Sequence, residues 1–253
     1  MATVTQTNPT PSRIAADSNR ILPLHSGDRL TAEEFERRYS AMPGVQAELI
    51  EGVVYVASPV SVDHSESHLR AMFWMAAYLT TTPFVAGGDN GTIRLDLDNQ
   101  PQPDGYLRVL PEGGGRAKIS EDRYVVGAPE FVIEIARSSA SYDLHDKLNA
   151  YRRNQVLDYV VWQVEEGIIQ WFSLRGGRYE RIEPTPEGHY HSPVLPGLWL
   201  DPSALLRGDL CEVLRVVQLG LASPEHTAFV AKLQETAAKL AAPAASNPEA
   251  TRP

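Results

Sequence analysis

Residues 129–162 read PEFVIEIARSSASYDLHDKLNAYRRNQVLDYVVW, and this stretch decides the fold. Its opening, PEFVIEIARS, is a continuous apolar run of the kind a strand shows when both its faces are buried, interrupted by Glu134. YDLHDKLNAYRRN reads as a helix, and DYVVWQVEE and GIIQWFSL as two strands across a Glu-Glu-Gly turn. An ionised carboxylate inside an apolar strand is expensive unless it is paired, hydrogen-bonded or bound to metal, so Glu134 needs compensation. Asp104 is the natural partner: Pro103 before it favours an extended chain there and can set the Asp at a strand start. Two such carboxylates suit a hard cation such as Mg²⁺, Mn²⁺ or Ca²⁺; the plainer alternative is an Asp in a turn and a core Glu in a salt bridge. Lys147 follows on the helix, from which its ammonium could return to the carboxylates, although a lone helical Lys is more often solvated.

Outward from this stretch, helices and strands alternate. Thr31 followed by Glu34 is a capping box opening a helix in LTAEEFERRYSAM. AELIEGVVYVAS reads as a hairpin turning at Glu51-Gly52. DHSESHLRAMFWMAAYL, residues 63–79, has apolar Leu69, Phe73, Ala76 and Ala77 at helical spacing behind a cap-capable Asp63, which predicts a long buried helix. GTIRLDL and DGYLRVL read as strands, PEGGGRAKISEDRY as a mobile loop, RYERIEP as a further strand, and the region to Leu200 as Gly/Pro-rich. Together these give an α/β (α+β) class with a mixed sheet flanked by helices. Trp74, Trp162, Trp171 and Trp199 read as core or edge-strand anchors.

The 253 residues, 43% hydrophobic and 22% charged, fit one generous domain with tails. The expected division is a flexible arm over 1–25, a domain over 26–210, and a C-terminal helix with a disordered Ala/Pro-rich tail over 211–253; the helix-compatible stretch is Phe229 to Leu240. The single Cys211 excludes a disulfide framework and a multi-thiolate zinc site, and reads as a buried structural thiol. A net charge of −9 argues against a surface that attracts nucleic acid everywhere, though not against a local basic groove. Neither a membrane span nor a signal pattern is present in the sequence, so the expectation is a cytoplasmic protein with no membrane partner.

AELIEGVVYVASP, a His-containing helix, QPDG, and the 129–162 stretch together resemble the Uma-two family, bacterial endonuclease-like proteins of the PD-(D/E)xK nuclease superfamily. The similarity runs from about Leu30 to about Leu200. It implies a restriction-endonuclease-like core in which Asp104 and Glu134 bind metal, Mg²⁺ or Mn²⁺, and the catalytic set is Asp104, Glu134 and Lys147. Ala136 stands where the superfamily's lysine is usual, and the family's helical lysine is matched by Lys147 in the pattern Asp143 to Tyr151. The usual Ser-Pro-Ser after the strand is replaced by Arg-Ser-Ser. Glu48 resembles an early acidic position of the family, and a His near His64 is common in it. His64 and His68 share one helical face, and Glu48, His64, His68 and Tyr151 are the candidate site-lining residues. Tyr142 and Tyr151 read first as packing and hydrogen-bonding groups.

The leading expectation is metal-dependent cleavage of DNA phosphodiester bonds. The alternatives are a nuclease-fold protein acting as a binding or regulatory module, with a homodimer as one form, and a small-molecule hydrolase on the same metal site. A nuclease should gather a basic patch around the site, for which Arg94, Arg108, Arg116, Lys118, Arg137, Arg152 and Arg153 are available.

Overall fold

The computed structural model describes residues 21–136 and 142–242. Most of the expected N-terminal arm, the Arg-Ser-Ser loop with Arg137, and the Ala/Pro-rich tail lie outside the described residues. Among those described, no helix is long and apolar enough to cross a membrane.

The centre is a six-stranded mixed sheet. Its strands are β3 (Val85–Gly88), β5 (Gly105–Val109), β8 (Phe131–Ala136), β9 (Asp158–Gln163), β10 (Ile168–Arg175) and β11 (Arg178–Ile182), in the spatial order β11-β10-β9-β8-β5-β3. β8 and β9 pair in parallel and the other neighbours antiparallel. The parallel pair requires a crossover, which a π-helical turn at Asp143–Lys147 and helix α3 (Leu148–Arg153) supply. A hairpin of β1 (Ala47–Ile50) and β2 (Val53–Val56) turns through Glu51 and Gly52, both at positive φ (53° and 70°), as a two-residue hairpin turn demands. It is tied to the chain ahead of β5 by the Leu49–Gln100 bridge.

Side chains alternate along β8, and this decides where the site forms. Phe131, Ile133 and Ile135 face the larger core beneath helix α2 (Val62–Leu79), with Trp74, Met75 and Tyr78. Val132 and Ala136 belong to the opposite cluster with Tyr151, Val156 and Tyr159. Glu134 shares that second face, towards the crossover helix. The larger core is pinned by mutual edge-to-face contacts of Trp74, Phe131 and Trp171, with centroids 5.6–5.8 Å apart, and by Trp74 Nε1 donating to Trp199 O at 2.8 Å.

Helix α1 (Ala32–Tyr39) is capped by Thr31, whose side chain accepts from Glu34 N. Three expectations need correction nearby. The cap of α2 is Ser61, not Asp63: its hydroxyl accepts from His64 N. The buried stripe of α2 runs through Ser67, Ala71, Trp74 and Tyr78, because the large aromatics take the core face, and Leu69 is left 68% exposed. GTIRLDL keeps only β4 (Ile93–Arg94) as strand, since Leu95 N and Asp96 N both turn back to Asn99 O.

The stretch expected to be a mobile loop contains a 3-10 turn at Pro111–Gly113 and strand β6 (Lys118–Ile119), which joins β4 and β7 (Val125–Val126) in a three-stranded sheet over buried Ala117. β12 (Tyr190–His191) and β13 (Trp199–Leu200) form a short pair, followed by α4 (Pro202–Arg207), α5 (Leu210–Leu221) and α6 (Pro224–Ala241). Val213 and Val217 of α5 and Leu233 of α6 enter the larger core. Cys211 is exposed rather than buried, because the stripe Val213, Val216, Val217, Gly220 turns it to the opposite side of α5.

Candidate functional site

The β5–β8 register sets Gly105 against Ile133, so Asp104, one residue before β5, falls beside Glu134. Ile135 N donates to Asp104 Oδ2 at 2.7 Å and locks that neighbourhood. From α2, His64 Nε2 lies 3.1 Å from Asp104 Oδ1 and His68 Nε2 lies 3.0 Å from Asp104 O. The sequence-predicted residues Asp104, Glu134, Lys147, Glu48 and His64 all line one cleft of about 330 Å³. His68 and Tyr151 sit behind it, each holding one of the two acids.

Lys147 is the centre of the charge arrangement. It is 4% exposed, with Nζ 2.9 Å from both Glu48 Oε1 and Glu134 Oε1 and 3.8 Å from Asp143 Oδ1. Tyr151 donates to Glu134 Oε1 at 2.7 Å, and Gln102 N donates to Glu48 Oε1 at 2.6 Å. The π-helical turn carries both Asp143 and Lys147 inward, and Tyr159 fixes it by donating to Asp143 O at 2.9 Å. Such widened turns occur disproportionately at functional sites.

Burial pushes the Glu134 carboxyl well above the usual range; Lys147 opposes the shift, and Asp143, Glu48 and Asp104 add to it. Burial works against the Lys147 ammonium, yet Glu134, Glu48 and Asp143 outweigh it and hold the group well above the ordinary lysine value. The hydrogen bond to Asp104 raises His64. Lys147 therefore stays charged and partly neutralises the acids around it.

The donor set is one a hard divalent ion accepts. It consists of carboxylate oxygens, and Glu134 Oε2 takes no hydrogen bond among the described residues while Oε1 takes two. Three metal-ligating atoms mutually within 4.8 Å occur among the described residues at His189, Asp201 and Glu212 instead. There Glu212 is already bridged to Arg215 through both oxygens, and Asp201 caps α4.

Sequence reasoning passed over Tyr55, Asn90 and Gln102, which also line the cleft, and gave Tyr142 a packing and hydrogen-bonding role. Asp143 was signalled as the first residue of the pattern ending at Tyr151. Among the described residues the basic candidates do not gather on the cleft: Arg94 is held by Glu36 and Asp122, Arg153 by Glu51, and Arg116 and Arg152 donate to Gln155 O and Gly177 O. Neither Arg108 nor Lys118 lines the cleft, and Arg137 lies outside the described residues.

The architecture is shared with a solved structure from Anabaena variabilis described as "a putative nuclease belonging to DUF820", at TM-score 0.52 and 12% identity, covering 74% of this chain and 99% of that one. No curated protein matches the chain. The Uma2 family, described as "Putative restriction endonuclease", matches residues 32–203, which span the hairpin, α2 and every strand of the large sheet. The chain belongs to the Uma2 family.

Proposed function

We propose that the protein is a metal-dependent endonuclease that hydrolyses DNA phosphodiester bonds at the cleft of Asp104, Glu134 and Lys147. The observation that carries this is the convergence of two acids from adjacent strands and a buried lysine from the crossover helix on one cleft. Asp104 and Glu134 would hold Mg²⁺ or Mn²⁺, with Glu48 at the margin. When bound, such an ion stabilises charge on phosphoryl oxygens and lowers the pKa of water. The chain's own groups do the positioning: His64 and Ile135 N fix the two Asp104 oxygens, and Tyr151 and Lys147 fix Glu134 Oε1. Lys147 also limits the repulsion that the four acids Glu48, Asp104, Glu134 and Asp143 would exert on a phosphate. A DNA substrate would fit the cytoplasmic location expected from the sequence.

One observation favours a second reading, a binding or regulatory module that retains the fold without turnover. Lys147 is the sole Lys or Arg among the described residues lining the cleft, and both of its 2.9 Å contacts are to protein carboxylates. Calorimetric titration of Mg²⁺ and Mn²⁺ into wild type, Asp104→Asn and Glu134→Gln, with supercoiled-plasmid nicking on the same samples, separates the two. The endonuclease reading expects ion binding and nicking in wild type and loss of both in each variant. Ion binding without nicking supports the module, and absence of binding overturns the site.

A further inference from the structure

Tyr142 stands immediately before the π-helical turn, lines the cleft, and carries a buried hydroxyl with no hydrogen-bond partner among the described residues. Natural structures keep few such groups, because a donor removed from water without a partner is a net cost. Its ring is held in place: Tyr55 of the hairpin packs on it at 4.2 Å between centroids, and Lys147 Nζ lies 5.5 Å from its centroid. Burial and then the Glu48 carboxylate push its pKa up, so the group remains an O–H donor.

Among the described residues, most of the other partly buried donors of the cleft are already committed to the protein, the exception being the Ser61 hydroxyl, which caps α2 by accepting from His64 N. Lys147 is bound to Glu48 and Glu134, His64 to Asp104, and the Gln102 amide to Tyr39 Oη and Thr92 Oγ1. A phosphate entering a cleft rich in carboxylates needs a donor that is not so engaged. We propose that Tyr142 is that donor, binding a non-bridging oxygen of a phosphate group seated beside Asp104 and Glu134. This rests on the phosphodiester reading for its substrate class, but the geometry asks only for an anionic phosphate oxygen, whether of a DNA backbone or of free phosphate. A hydrogen bond to a charged acceptor is stronger than a neutral one, and a preset donor has no ordering to undergo on binding.

The test is Tyr142→Phe, which removes one oxygen and leaves the ring on Tyr55. Binding of a fluorescein-labelled duplex in Ca²⁺ and of inorganic phosphate in Mg²⁺ is measured for wild type, Tyr142→Phe and Tyr55→Phe, with ion binding by calorimetry and thermal melting alongside. The expected result is about tenfold weaker phosphate-group binding in Tyr142→Phe. Ion affinity should be unchanged and the melting temperature equal or higher, a combination that a purely structural tyrosine would not give. Loss confined to the duplex assigns the site to DNA; loss for phosphate in a wild type that ignores the duplex keeps the assignment and removes the endonuclease reading. Undiminished binding of both probes by Tyr142→Phe, or binding of neither by wild type, overturns the inference.

Discussion

Lys147 and Glu134, thirteen residues apart in sequence, meet at 2.9 Å in the interior, each less than 5% exposed. A buried pair is weak evidence of net stability, but breaking it from one side is costly because the remaining charge has no solvent. Lys147→Met should therefore lower unfolding free energy by about 3–5 kcal/mol, and Lys147→Met with Glu134→Gln should recover a substantial part of that loss. Urea unfolding of the two variants checks this, and a double variant no more stable than the single one would refute the coupling.

Tyr151 shares the same acceptor, donating to Glu134 Oε1 at 2.7 Å from a fully buried position. Tyr151→Phe removes a hydrogen bond to a charged group, a loss of roughly 1.5–3 kcal/mol. The contrast with Tyr142→Phe is informative, since that hydroxyl has no partner to lose. Chemical denaturation of both should show destabilisation for Tyr151→Phe alone.

The part of this site that was legible in sequence is the part that breaks a local rule. Glu134 is conspicuous as a carboxylate in an apolar run, and the two-residue period of β8 places it with Ala136 on the face that the crossover helix must cover. Lys147 followed from the pattern ending at Tyr151. Tyr142, Asn90 and Gln102 break no local rule, and their roles arise largely from contacts remote in sequence, such as Tyr142 on Tyr55 and Gln102 Nε2 to Tyr39. Where the available arginines would go was not legible for a related reason: Arg94 finds Glu36 58 residues away, a pairing no spacing reveals. The expected C-terminal helix over 211–253 was located at Phe229 to Leu240, so α5 was not resolved as an element of its own; its stripe Val213, Val216, Val217, Gly220 has helical period within a run rich in β-branched residues.

Gly105 connects the site to the core. A Cβ there would lie 2.6 Å from Met72 Cε, 2.9 Å from Ile133 Cγ2 and 3.0 Å from Met75 Sδ. The methionine ends can move, but Ile133 is the Cα partner of Gly105 in β8, so relief must come partly from parting the two strands that hold Asp104 beside Glu134. Gly105→Ala should destabilise by about 1–3 kcal/mol through overpacking and weaken divalent-ion binding more than Ala substitution of exposed Gly188 does. Equal ion affinity in both variants would show that Asp104 is positioned independently of β5.

Asp158, fully buried at the start of β9, accepts from Ser192 Oγ at 2.6 Å, yet burial raises its carboxyl from 3.8 to about 6. A raised folded pKa means that the native state binds the proton more tightly than the unfolded chain. The associated stability is fully present below pH 3.8 and is lost as pH rises through about 6. The shift of about two units corresponds to roughly 3 kcal/mol. Asp158→Asn cannot titrate, so variant minus wild-type stability should be about 3 kcal/mol more favourable at pH 8 than near pH 4. Any fixed cost of placing the amide beside Ser192 cancels in that comparison, and titrating groups elsewhere affect both proteins alike. Denaturant unfolding of the pair across this range gives the answer directly, and a difference that stays flat with pH would place the Asp158 carboxyl at its ordinary value.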